Sequence, residues 1–278
     1  MRRKLRSGWS RFFNVWPMIA DGYFQTFGDD RYPASCRATN FPSSGHRLQM
    51  THVFSGAGPG TRTSDGCSVE LYRDLPYLGE LDDIIGELQP GASALELGCG
   101  TGRLTRPLID RGLSVTAVDN SAEMLSSLPS GAKPVFCDIG QLNLTHRFDI
   151  AILASCLINH PDLTVRASFL ASARRHLGPS GRLFLQRHDP NWLRDAPVGE
   201  VCRVNDSTIA VETVARRGNE ISMTIRYDRP MGTWWHSFAA EILDDAAVER
   251  DLLDAGFEQP TWHGRAKRWL SASVKVAG

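Results

Sequence analysis

The sequence predicts an α/β fold: a mostly parallel sheet of seven strands with helices on both faces, and a small antiparallel flap inserted after the fifth strand. Two patterns carry this. Between Ala92 and Gln186 short β-forming apolar runs alternate with helical periodicity, which is the signature of a parallel sheet covered on both faces and wound right-handed. After Gln186 the period changes to alternation with turn residues between the runs, as in antiparallel hairpins.

In chain order, "VELYRDLPYLGELDDIIGEL" from Val69 has apolar residues at helical spacing interrupted by Pro76, so it reads as one or two helices ending before Pro90-Gly91. "ASALELG" is the first strand, Arg103 to Arg111 a helix, "LSVTAVD" the second strand, and Ser121 opens the next helix. "KPVFCD" and "FDIAILAS" follow as strands. Val165, Phe169, Leu170, Ala173 and Leu177 share a helix face that Gly178-Pro179 stops, and "GRLFLQ" is the fifth strand. In the flap, Ile209, Val211, Thr213 and Ala215 alternate with their neighbours, as do Ile221, Met223, Ile225 and Tyr227, with a turn at Arg217-Gly218-Asn219. Trp234, His236, Phe238, Ala240 and Ile242 form a third run before Asp244 caps a helix ending near Gly256. "FEQPTW" and "RWLSASVKV" close the main sheet. The main domain is expected over 50–278, with the flap at about 199–243.

The first 49 residues show no sustained period, only scattered aromatics among Arg, Gly, Pro and Ser. They read as an extension, disordered or loosely docked, with a natural start near Met50. The sharper alternative is an aromatic lid over the site. The basic start has neither the apolar segment nor the cleavage site of a signal peptide.

Composition narrows the function classes. At 278 residues and 42% hydrophobic side chains the chain can bury a full core. A formal net charge of zero supplies no global field toward nucleic acid or a membrane surface. The longest apolar run, around Phe148 to Ile158, contains Asp149 and is too short to span a bilayer. Six scattered cysteines without a CxxC pair fit buried thiols in a cytoplasmic protein.

The stretch "LELGCGTGR", Leu95 to Arg103, carries the functional signal. A glycine-rich turn after the first strand of such a sheet approaches a bound ligand closely. A dinucleotide site asks for G-x-G-x-x-G, with a small sixth residue for helix–strand packing. Here Gly98, Gly100 and Gly102 read G-x-G-x-G and the sixth position is Arg103, so the nicotinamide reading loses ground. Glu96 would repel a pyrophosphate but suits an ammonium group, or polarises ordered water and amides nearby. Asp119, ending the second strand, stands where a carboxylate can accept both ribose hydroxyls. Asp138, ending the third, is placed for an adenine amino group or caps the next element. Cys99 is most simply a small apolar residue in the turn.

"ALELGCGTGR", "VTAVDNSAEML", "FCDI", "FDIAILAS" and "LGPSGRLFLQ", in this order, resemble the successive motifs of the class I S-adenosylmethionine-dependent methyltransferases, over about Val69 to the C-terminus. "GPGTRTSDGCSVELY", Gly58 to Tyr72, also resembles the start of a group of bacterial small-molecule methyltransferases. The resemblance implies a Rossmann-like fold and S-adenosyl-L-methionine as cofactor. It implies that Glu96 and the loop Gly98, Cys99, Gly100, Gly102 and Arg103 hold the methionine portion. Asp119, with Asn120 beside it, would hold the ribose, Asp138 and the Ile139 amide the adenine, and Ala154 and Ser155 would line the cofactor near its sulfur.

Methyl transfer asks mainly for in-line alignment and exclusion of water; a base is needed only for a protonated acceptor. Candidates are His160 in "INHPD", His188 in "QRHDPNW", His236 on the flap, and Tyr72 as a hydroxyl near the methyl site. Each histidine also has an ordinary reading as a hydrogen-bonded loop or core residue. No His/Asp/Glu group stands at metal-ligand spacing, so no metal is expected. Tyr227, Trp234 and Trp235 either roof the site with flat apolar surface or fill the space under the flap; Arg226 and Arg229 read as solvated residues. The expected partner is a small molecule or short peptide, not nucleic acid or a membrane, with the chain a monomer or homodimer. The runner-up is a protein that binds the same cofactor for cyclisation or regulation.

Overall fold

The computed structural model describes residues 54–204 and 206–275; the expected extension, 1–49, lies outside the described residues. The chain runs β1 (Ser55–Ala57), α1 (Val69–Arg73), β2 (Ser93–Leu97), α2 (Thr105–Asp110), β3 (Ser114–Asp119), α3 (Ala122–Leu125), β4 (Lys133–Phe136), β5 (Phe148–Leu153), α4 (Leu163–His176) and β6 (Leu177–Gln186). Then follow α5 (Pro190–Asp195), β7 (Gly199–Val204), β8 (Ser207–Arg217), β9 (Glu220–Arg229), β10 (Gly232–Glu241), α6 (Asp245–Asp254), β11 (Thr261–His263) and β12 (Trp269–Ser273).

The seven-stranded sheet has the order β11-β12-β6-β5-β2-β3-β4. Its β2–β6 pairs are parallel, and β12 and β11 add antiparallel strands at one edge. From β2 the chain steps outward to β3 and β4, then returns to β5 on the other flank of β2. That reversal opens a crevice beyond the carboxyl ends of β2 and β5, where ligands of open α/β sheets sit.

Period-2 alternation sends successive side chains of each strand to opposite faces. Leu95, Leu97, Val118, Ala151 and Leu153 pack against Phe169, Leu170 and Ala173 of α4 and Val248 and Leu252 of α6. On the other face Ala94, Val115, Ala117, Ile150, Ile152 and Phe184 meet Leu104 and Leu108 and the buried Leu81, Ile84 and Leu88. The capping carboxylates Asp162 and Asp244 accept from Thr164 N and Ala247 N, which fixes where α4 and α6 begin. Among the described residues no helix is long and apolar enough to cross a membrane.

A second sheet, β1-β10-β9-β8-β7, is antiparallel throughout. Most of it follows β6, as the alternation predicts. Its outer strand β1 comes from before the main sheet, with Ser55 opposite Ser237, so the flap is closed by a segment the sequence did not assign to it. Its inner face buries Ile209, Val211, Ile221, Met223, Ile225, Tyr227, Trp234 and Phe238 against Val69, Leu71 and Tyr72 of α1.

Three expectations are corrected. Past Pro76 the predicted helix becomes a string of turns over 79–88, with Gly79 at φ +88° and a single i→i−4 bond, Ile85 N to Leu81 O. Gly178-Pro179 stops α4, yet both residues lie within β6, because the register shifts between Phe148 and Ile150 and lets β6 bulge there. A second bulge, between Val211 and Thr213, turns Thr213 and Ala215 outward and brings Val214 against the flap core.

Phe169 is fully buried at the centre of the α4 face. Phe169→Ala should lower the unfolding free energy by about 3–5 kcal/mol, read as an earlier urea midpoint; a loss below about 1 kcal/mol would mean that this face is not packed as described.

Candidate active site

The turn after β2 is shaped by its neighbours. Gly98 N and Cys99 N both donate to Val118 O at 2.9 Å, which lays the turn across the end of β3. Gly98 has φ +72°, and a Cβ there would stand 2.5 Å from Leu157 Cδ1. Gly100, at φ +54°, faces open space, so its bare backbone is presented outward. Asp119 holds the arrangement: Oδ2 accepts from Gly100 N at 2.8 Å and Oδ1 from Ser121 N at 2.9 Å.

These elements wall a cleft that is partly open to solvent. Glu96, Gly98, Cys99, Gly100 and Arg103 come from the first turn, Asp119 and Asn120 follow β3, Asp138 and Ile139 follow β4, and Ser155 and Leu157 follow β5. Thr63, Asp65, Cys67 and Tyr72, from the segment between β1 and α1, complete the wall. Two residues of the expected set lie off it. A Cβ on Gly102 would press on Pro129 Cδ at 2.7 Å, so this glycine serves packing under the turn. Ala154 is buried with Ile152 and Phe184 in the core. The next two residues, Ser155 and Cys156, have φ of +57° and +61°, a left-handed pair held by Ser155 N donating to Gln186 Oε1 at 2.8 Å. Such strain in non-glycine residues gathers at ligand-binding positions.

The cleft is rich in carboxyl groups. Glu96 is 2% exposed and accepts from Thr105 Oγ1 at 2.6 Å. Burial pushes its pKa up to about 8, the Thr105 hydroxyl pulls it back, and the Asp119 charge raises it further. Burial also raises Asp119, to about 6, against the pull of the amide donors of Ser121 and Gly100. Asp138 is raised by burial while Oδ1 accepts from Gly140 N at 2.8 Å. The arginine on the wall, Arg103, is already ion-paired with Glu80. A pyrophosphate would meet three carboxyl groups and a committed cation; a ligand carrying an ammonium and two ribose hydroxyls meets acceptors suited to it.

The four candidate bases separate. Tyr72 lines the cleft. His236, on β10, lies behind the lining residues; it brings Nε2 to 3.7 Å from Cys67 Sγ, and burial lowers its pKa against the opposing charge of Asp65. His160 stacks on Phe54 with ring centroids 5.5 Å apart, its Nδ1 accepting from Asp162 N at 3.1 Å, and does not line the cleft. His188 does not line it either; its amide donates to Asn159 Oδ1 at 2.9 Å, and burial drives its imidazole down to about 3. Tyr227 and Trp234 fill the core beneath the flap, Trp235 points outward, and Arg226 pairs with Glu212 and Asp228.

Sequence reasoning missed the group around Cys67. Thr63 Oγ1 donates to Asp65 Oδ1 and accepts from Cys67 N at 3.0 Å. Cys67 Sγ donates to Asp65 Oδ2 at 3.0 Å and lies 3.4 Å from the Tyr72 hydroxyl. Asp65, Cys67 and His236 are each buried, with one ligand-type atom of each within 4.8 Å of the others. Read along the chain, no His/Asp/Glu group stands at metal-ligand spacing; in space Asp65, Cys67 and His236 come together. Asp65-Gly66-Cys67 with Tyr72 downstream was the available signal, but His236 stands 169 residues from Cys67.

Residues 94–181 match the family described as "Methyltransferase domain". A cypemycin N-terminal methyltransferase from a Streptomyces species is 27% identical over 191 residues, 66% of this chain and 71% of that protein. An uncharacterised methyltransferase of Mycobacterium bovis is 28% identical over 178 residues, 60% of this chain and 69% of that one. Among solved structures, the CcbJ methyltransferase from Streptomyces caelestis superposes with a TM-score of 0.60 at 22% identity, covering 76% of this chain and 96% of its own. An S-adenosylmethionine-dependent methyltransferase from Clostridium acetobutylicum gives 0.59 at 20% identity, over 75% and 95%. These structures share the fold.

The raised Glu96 sets a pH dependence. Below about pH 8 the free protein holds this carboxyl protonated, whereas an ammonium placed beside it favours the ionised form. Binding then expels a proton, so affinity for S-adenosylhomocysteine should rise with pH up to about 8 and level off above it. Calorimetry in buffers of different ionisation enthalpy reads the released proton; an affinity flat across that range in the wild type, or a slope unchanged in Glu96→Gln, would contradict the assignment.

Proposed function

The chain carries a class I S-adenosylmethionine-dependent methyltransferase domain, and from that premise we propose that it methylates a nitrogen or oxygen of a small organic molecule or short peptide. S-adenosylmethionine supplies an activated methyl group on a sulfonium sulfur. Glu96 receives the ammonium of its methionine portion against the bare backbone of Gly98 and Gly100. Asp119 accepts from the ribose hydroxyls with the lone pairs left over from Gly100 N and Ser121 N. Asp138 and the Ile139 amide take the adenine edge, and Ser155 stands by the sulfur. Orientation of this kind can lower a barrier by about 7–11 kcal/mol.

The observation that carries the acceptor side is the buried group Asp65, Cys67, Tyr72 and His236, three of whose members line the same cleft. A polar knot on an otherwise apolar flank is suited to one heteroatom and to the proton it loses. The carboxyl groups that share the cleft disfavour a polyanionic acceptor. A nitrogen acceptor is supported by the cypemycin relative, whose name places its methylation at an N-terminus. The five described cysteines are all buried, which fits thiols kept in a reducing, cytoplasmic setting.

Titration with S-adenosylhomocysteine should give a dissociation constant of micromolar order, about −8 kcal/mol, with no binding of NAD; the reverse would return the fold to oxidoreductase chemistry. Asp119→Ala should weaken this affinity at least about tenfold, equivalent to about 1.4 kcal/mol.

A panel of dipeptides, amino sugars and phenols, assayed for cofactor turnover, identifies the acceptor class. With an active acceptor, Asp65→Asn and His236→Ala should each lower kcat by about 10²–10⁴-fold while the affinity for S-adenosylhomocysteine stays within about twofold of wild type. Unchanged turnover in both variants would remove the group from the reaction.

A further inference from the structure

We propose that Asp65, Cys67 and His236 form a zinc site on the acceptor side of the cleft, with a fourth position open to the acceptor heteroatom. The role of that fourth position rests on the methyl-transfer reading above; the binding of the ion does not.

The donor atoms already stand near coordination spacing. Cys67 Sγ is 3.0 Å from Asp65 Oδ2 and 3.7 Å from His236 Nε2. Tetrahedral zinc with bonds of ~2.0–2.3 Å holds its donors roughly 3.3–3.7 Å apart, and the three ligand atoms lie within 4.8 Å of one another, so an ion could be received by side-chain movements of about an ångström or less. One thiolate, one imidazole and one carboxylate oxygen form a set that suits zinc and is too soft for magnesium or calcium. Thiolate and carboxylate together neutralise the ion, so the buried site would carry no net charge.

The backbone is built to bring these side chains together. β1 pairs with β10 so that Gly56 lies opposite His236. The chain then loops back, and Gly66, at φ +91°, lies directly on Gly56; a Cβ on either glycine would collide with the backbone of the other. Only this glycine–glycine contact lets Asp65 and Cys67, the residues flanking Gly66, settle beside the histidine. The surroundings hold the ligands in place. Thr63 Oγ1 ties down Asp65 Oδ1, leaving Oδ2 toward the sulfur, as outer-shell partners of metal ligands do. The hydroxyl of Tyr227 is buried without a hydrogen-bond partner and lies within electrostatic reach of Cys67. A buried hydroxyl left unmatched in this way needs a further polar occupant nearby.

Three protein ligands and one exchangeable position is the arrangement of catalytic rather than structural zinc. An O–H acceptor bound through its oxygen at the open position would be acidified as a zinc-bound water is, its proton passing to solvent water and an oxygen lone pair remaining for the methyl group. The fall in turnover expected for Asp65→Asn and His236→Ala would then follow from loss of the ion rather than of a base.

The test uses the full, untagged chain, stripped with chelator, reloaded with zinc and dialysed. One zinc per chain by mass spectrometry is expected, with Cys67→Ser and His236→Ala falling close to zero and Cys202→Ser, outside the group, keeping its metal. Retained S-adenosylhomocysteine binding shows that each variant is folded. Cobalt substitution should give a thiolate-to-metal charge-transfer band, lost in Cys67→Ser and shifted by imidazole as a probe of the open position. A wild type that holds no stoichiometric zinc, or variants that hold as much as wild type, would overturn the site; a cobalt spectrum indifferent to imidazole would overturn the open position. Zinc binding without S-adenosylhomocysteine binding would instead sink the methyl-transfer reading and leave the metal site standing.

Discussion

The position of the whole cleft depends on one half-buried carboxylate. Asp119 ends β3 and accepts from the amides of Gly100 and Ser121, so a single side chain fixes the turn after β2 and the entry to α3. Hydrogen bonds to a charged group contribute about 1.5–3 kcal/mol each, and here they also set geometry: the turn cannot swing without leaving the carboxylate short of donors. The same demand explains Glu96, which sits beneath the turn with Thr105 as its hydroxyl donor. Both groups are raised in pKa by burial and are held ready for donors that the protein itself does not supply.

Around this anchor the cleft is made of two walls that meet where Met124 of α3 packs into the flap core. One consists of the carboxyl ends of β2 to β5, of which β2 and β5 are largely buried and β4 forms the edge of the sheet. The other is the loop between β1 and α1, pressed into place by the apolar underside of the second sheet. Tyr72 belongs to both worlds: its ring is part of the flap core, and its hydroxyl reaches Cys67 at the cleft.

The central architecture was legible because local and global signals agreed. The strands β2 to β6 are short β-forming runs bounded by glycine and proline, and Glu96, Gly98, Gly100 and Asp119 stand where the pattern E-x-G-x-G-x-G with a downstream Asp places them. Legibility failed where pairing across the chain overrode local preference. Gly178-Pro179 reads as a stop, but a bulge absorbs both into β6. Thr213 and Ala215 alternate correctly in sequence, and the bulge after Val211 turns them over. His160 and His188 follow strand ends and looked equivalent to His236; the differences are a stacking partner for one, enclosure among buried residues for another, and an antiparallel register for the third. Asp65 and Cys67 gained meaning only when Gly56 was found opposite His236, and no periodicity encodes a register between strands so far apart.

The pairing of β1 with β10 also has a bearing on how the molecule assembles. Ser55 meets Ser237, so the contact closes nearly the entire described chain into one loop. Loops of that length close late, after shorter-range contacts have reduced the cost of bringing their ends together. The main sheet is closed over a comparable span, with Trp269 Nε1 donating to the Glu80 carbonyl across 189 residues. The three-residue strand β1 therefore joins the second sheet through a contact that spans most of the described chain, and losing that pairing would free the segment that carries Asp65 and Cys67.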